Sequence, residues 1–112
     1  MNSEVQSKIN QLSMMEQNLQ NFSLQKQQFQ AQLLEVESAE REIESAKESF
    51  KIVGNIMVSM DKETLKKELI EKREIFLIRV ESFEKQEAKL REKAETLQKE
   101  VLEEMQKTER QE

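Results

Sequence analysis

Apolar residues recur along this chain with a seven-residue period that breaks only once. From Val5 to Phe50 the first series is Val5, Leu12, Leu19, Lys26, Leu33, Glu40, Lys47 and the second is Lys8, Met15, Phe22, Phe29, Val36, Ile43, Phe50. Residues spaced alternately three and four apart fall on one stripe of an α-helix, the seam of a coiled coil. The period resumes at Lys66, with Lys66, Arg73, Val80, Glu87, Ala94, Val101 in one series and Leu69, Phe76, Phe83, Leu90, Leu97 in the other. The spacing predicts two long helices, about Val5 to Ser49 and Asp61 to Gln106. Asp61 stands where an N-cap carboxylate accepts from the first turn, and Glu63 opposes the positive end of the helix dipole.

The break, Phe50 to Met60, reads as a β-hairpin. Two β-friendly runs, Phe50 to Val53 and Ile56 to Ser59, flank Gly54-Asn55. The sole glycine can take the positive φ that a type II′ or I′ turn requires, which pairs Val53 with Ile56 and Ile52 with Met57. A strand with one wet face alternates apolar and polar residues. Phe50, Ile52, Val53, Ile56, Met57 and Val58 leave neither face polar. A lone two-stranded hairpin is marginal in water and has two open edges, so the partner strands are expected from other chains.

Composition narrows the class. Of 112 residues 36% are apolar and 37% charged, with one Gly and no Pro, Trp, Tyr, Cys or His. That is the composition of long helices rather than a compact globule, and the regular apolar spacing argues against disorder. Without Cys or His no thiolate or imidazole nucleophile and no ordinary transition-metal site can form. Carboxylates are plentiful, but tuning a pair for acid-base work needs a pocket that two helices do not enclose. The chain is therefore expected not to be an enzyme and to need no cofactor. A net charge of −5 and a pI near 5.0 disfavour nucleic acid. No apolar run is long enough to span a bilayer, and Met1 to Glu4 lacks the basic and apolar regions of a signal peptide, so a cytoplasmic location without membrane partners is expected.

The polar seam positions bear on helix pairing. With helices returning antiparallel from the turn, Lys26 lies one layer from Glu87 and Glu40 one layer from Arg73, so opposite charges meet. A register shifted by one heptad keeps both pairs adjacent, which leaves the register open. Such polar groups set alignment more than they add stability. Elsewhere the first half is glutamine-rich, with nine Gln before Leu33. The second half carries Glu-to-Lys or Glu-to-Arg pairs at i, i+4, among them Glu87/Arg91, which support a helix. At the free end, Ile9, Met14, Leu102 and Met105 add apolar surface beside the seam residues Leu12, Met15 and Val101. Flexible methionines suit varied partners.

Helix, hairpin and helix, with Phe50-Lys51-Ile52-Val53-Gly54-Asn55-Ile56-Met57-Val58 followed by Asp61-Lys62, resemble the β-type subunit family of prefoldin across the whole chain. Glu84-Lys85-Gln86-Glu87 is also similar to a segment of that family's second helix. One hairpin rather than two matches the β type. The polar seam from Glu40 to Lys47 departs from the pattern. The resemblance implies a mainly α fold in one prefoldin-like domain: helix over 1–49, hairpin over 50–60, helix over 61–112. The hairpin would contribute Phe50, Ile52, Val53, Gly54, Ile56, Met57 and Val58 to an intersubunit β-barrel. The implied assembly is a hexamer of two α-type and four β-type subunits, an ATP-independent holdase. Its coiled-coil tips, here Ile9, Leu12, Met14, Met15, Val101, Leu102 and Met105, would grip unfolded clients and deliver them to a group II chaperonin. The competing reading is a structural coiled-coil tether that oligomerises without clients. A helical arm excised from a larger enzyme, such as a seryl-tRNA synthetase, would not carry an interior hairpin of this kind.

Overall fold

The computed structural model describes residues 3–111. The expected segment limits at residues 1 and 112 lie outside the described residues. Two long antiparallel helices, α1 (Ser3–Ser45) and α2 (Lys62–Gln111), are joined by strands β1 (Phe50–Val53) and β2 (Ile56–Ser59). The mainly α, hairpin-linked architecture that the heptads predict is the one observed. Two compact units divide the chain: a hairpin unit, Lys26–Glu81, and a terminal unit made of the residues up to Gln25 together with those from Ser82 onward.

In the hairpin unit the seam is the core. Val36, Ile43 and Val80 are buried, and Phe29 meets Phe76 with ring centroids 6.1 Å apart. Such a tilted aromatic pair contributes about 0.5–1.5 kcal/mol beyond the area it buries. Arg73 Nη1 donates to Glu40 Oε2 at 2.5 Å, and Lys66 Nζ reaches Glu44 Oε1 at 3.1 Å. In the terminal unit Val5 and Val101 are buried, and Phe22 stands 6.1 Å from Phe83. Both aromatic pairs select the register centred on the turn. A one-heptad shift would set Phe83 against Phe29 and Leu90 against Phe22.

Helix α1 ends at Ser45, four residues short of the expected Ser49. Ala46 N still donates to Ile43 O at 3.3 Å, and Lys62 Nζ donates to Glu44 O at 3.0 Å, so two of the last carbonyls are satisfied. Beyond that point Ser49 is committed to the hairpin. Its carbonyl accepts from Met60 N at 3.0 Å and its hydroxyl donates to Met60 O at 2.6 Å. No basic residue sits in the last turn of α1, while Glu42 and Glu44 lie at the negative end of its dipole, which weakens further extension. Lys47 therefore leaves the seam and is exposed; its charge interrupts no core layer.

Candidate functional site: two exposed apolar surfaces

The turn brings Gly54 to φ 61°, and no other described residue has a positive φ. With φ positive only at its first central residue, the turn is type II′ rather than I′. The twist of that turn suits the strands, which pair Phe50 with Ser59, Lys51 with Val58, Ile52 with Met57 and Val53 with Ile56. Successive side chains point to opposite faces. Phe50, Ile52 and Met57 consequently share one face, and Val53, Ile56 and Val58 share the other. All six are exposed, from 46% at Val58 to 69% at Ile52.

Local bonds hold the hairpin to its helices. Lys51 Nζ lies 2.9 Å from Glu68 Oε2, tying β1 to α2. Asp61 caps α2 as its position predicts: Oδ2 accepts from Thr64 N and from Thr64 Oγ1, each at 3.2 Å. Its carbonyl accepts from Leu65 N at 3.0 Å. An N-cap carboxylate of this kind contributes about 1 kcal/mol.

The second surface belongs to the terminal unit. Met14, Leu102 and Met105 are exposed, whereas Ile9, Leu12 and Met15 are half-buried. Val101, expected on the binding surface, is 6% exposed. It continues the seam series of Val80 and Ala94, so it holds the two helix ends together instead of facing outward. Met15 and Leu97 line an open groove of about 530 Å³ with Gln11, Lys89, Lys93 and Thr96. Near the same end Lys8 Nζ binds Glu104 Oε1 at 2.5 Å and lies 3.5 Å from Glu100 Oε2. Its hydrogen bond to Glu104 chiefly raises the Lys8 pKa.

Sequence reasoning overlooked several outward apolar side chains. Leu24, Leu34, Ile70, Ile75, Leu77 and Ile78 are exposed, and all lie off the heptad seam. Their signal was available as apolar residues in non-seam positions. Among the described residues no helix is long and apolar enough to cross a membrane.

Residues 6–108 match the model of the prefoldin subunit family. The chain is 41% identical over 100 residues to the prefoldin subunit beta of Archaeoglobus fulgidus, covering 86% of each chain. It is 38% identical over 101 residues to the prefoldin subunit beta of Thermococcus onnurineus, covering 88% of this chain and 87% of that one. The crystal structure of the prefoldin beta subunit from Thermococcus strain KS-1 superposes with a TM-score of 0.82 at 36% identity, covering 89% and 90% of the two chains.

Proposed function

From the premise that this chain belongs to the prefoldin family as a β-type subunit, we propose that it is one arm of an ATP-independent holdase. In this reading it assembles with α-type subunits and further β-type copies in a two-to-four hexamer, in the cytoplasm. The assembly holds unfolded proteins and passes them to a group II chaperonin. The observation that carries the reading is the separation of exposed apolar side chains into two sets with different requirements. The hairpin exposes six apolar side chains on two faces beside unpaired strand edges. Strand edges demand partner strands of defined register, which is the chemistry of assembly. The terminal unit instead exposes Met14, Leu102 and Met105 from helices whose backbone groups are already satisfied. Unbranched side chains on such a surface adapt to partners of no fixed shape, which is the chemistry of holding unfolded chains.

One weak apolar patch retains little by itself. Each side chain removed from water contributes about 1.5–3 kcal/mol at full burial, so several subunits acting on one client supply the avidity. The test replaces Ile9, Met14, Leu102 and Met105 with Gln, which spares the buried seam and costs little helix propensity. The variant should assemble as the parent does. In light scattering of a client diluted from denaturant, the parent complex should suppress aggregation and the variant should not. Equal suppression by both would remove these residues as the grip and favour the structural tether.

A further inference from the structure

Methionine is the only side chain in this protein that a hydroperoxide readily oxidises. The sequence has no Cys, whose thiolate would take the oxidant first, and no Trp, Tyr or His. Of the six methionines, Met15 and Met60 are half-buried, whereas Met14, Met57 and Met105 are 64%, 64% and 40% exposed; Met1 lies outside the described residues. Met57 belongs to the hairpin, whose faces assembly covers. Met14 and Met105 belong to the terminal unit. Among the described residues that unit exposes four large apolar side chains, Met14, Leu24, Leu102 and Met105, so half of its exposed apolar set is thioether. Met105 stands one turn beyond Leu102 on the same side of α2.

We propose that Met14 and Met105 are modification sites, oxidised by a hydroperoxide to methionine sulfoxide, and that the oxidised arm loses its grip on unfolded protein. The inference rests on the terminal unit being the surface that holds clients. The thioether sulfur attacks one peroxide oxygen: an S–O bond forms, the O–O bond breaks, and the hydroxyl proton passes to the displaced oxygen, which leaves as water or an alcohol. Sulfur loses two electrons and the peroxide gains them. The product carries a strong hydrogen-bond acceptor where a client's apolar side chain would dock, and burying that acceptor without a donor opposes binding.

Position separates a switch from damage. Val5 and Val101, which join the two helix ends, are buried, whereas Met14 and Met105 lie off the heptad seam. Oxidation of these two methionines leaves the packed layer apolar, so the arm remains helical and assembled. Exposed sulfoxides are also open to a reductase, which returns each to the thioether with two thiols as reductant and releases a disulfide and water.

The test uses the chain assembled with an α-type subunit, so that Met57 is covered before peroxide is added. Parent and Met14→Leu/Met105→Leu complexes are treated with hydrogen peroxide, and each is compared with its own untreated sample; leucine keeps a similar volume and helix propensity but has no sulfur. Peptide mass spectrometry should find sulfoxide at Met14 and Met105 before Met15, Met57 and Met60. In light scattering of a client diluted from denaturant, the treated parent should need about tenfold more complex for the same suppression, because the loss repeats in every copy that touches the client. The treated variant should match its untreated sample, and a pair of methionine sulfoxide reductases, one for each sulfoxide epimer, should restore the parent. Full suppression by a parent oxidised at both positions overturns the inference, as does an equal loss in the leucine variant. A loss accompanied by a smaller sedimentation coefficient overturns it too, because the sensitive methionine is then Met57 in the hairpin. An untreated parent complex that suppresses no aggregation would instead remove the client-holding reading, and the inference with it.

Discussion

Arg73 and Glu40 meet within a seam whose other occupants in the hairpin unit include buried Val36, Ile43 and Val80. The guanidinium donates from Nη1 to Oε2, and the side chains retain 37% and 21% of their exposure. Both partners are wet enough that the pair adds little net energy. Its larger effect is against misalignment, because losing one partner strands the other beside an apolar layer. Arg73→Leu should therefore lower stability by about 1–2 kcal/mol, and Glu40→Leu/Arg73→Leu by less than the single change. Thermal unfolding of both single variants and the double variant checks this; a double loss equal to the sum of the two single losses would show that the charges are not coupled.

Assembly should depend on the two faces of the hairpin. Val53 and Ile56 pair on one face, and lysine at both would place two charges where partner strands are expected. Burying an unpaired charge costs several kcal/mol, so Val53→Lys/Ile56→Lys should remain helical and lose the complex. Sedimentation velocity reads the outcome, and a variant that keeps the parent sedimentation coefficient would place the interface elsewhere.

Gly54 should resist replacement for a backbone reason alone. A Cβ added there meets nothing within 4 Å, so the penalty of Gly54→Ala comes from φ 61°. A positive φ costs a residue with a Cβ about 1–2 kcal/mol. The urea midpoint of the assembled protein should fall accordingly with no change in helix content, and an unchanged midpoint would mean that the turn relaxes to another type.

Lys8 gives the terminal unit a pH dependence with a definite sign. Its folded-state pKa lies above the ordinary lysine value of 10.5, chiefly through the hydrogen bond to Glu104. The protonated form is therefore favoured by folding. Its contribution is fully present below 10.5 and disappears as pH rises through the raised value. The difference in thermal midpoint between the parent and Lys8→Met should be constant near neutrality and should shrink at strongly alkaline pH. A difference that persists there would assign the effect of Lys8 to its aliphatic stem rather than its charge.

Features governed by neighbours in the chain could be read directly. The Gly54-Asn55 connection specifies the pairing of Val53 with Ile56, because a two-residue loop closes in few geometries. Asp61 announces the start of α2 because its carboxylate bonds a backbone donor three residues on. The heptad series identifies the buried seam because side-chain direction follows from helical period alone.

Three other features depended on groups distant in the chain. Two registers one heptad apart satisfy the same charge pairs; packing chose between them by setting Phe29 on Phe76 and Phe22 on Phe83. The heptad period continues through Lys47, but α1 stops at Ser45. The bonds that hold Ser49 to Met60 compete with another helical turn, and helix propensity carries no knowledge of that competitor. Val101 has the same apolar character as Leu102 beside it, yet one is buried and the other exposed. Composition says how much apolar surface a helix end carries. Which part of it faces the opposing helix is settled when that helix arrives.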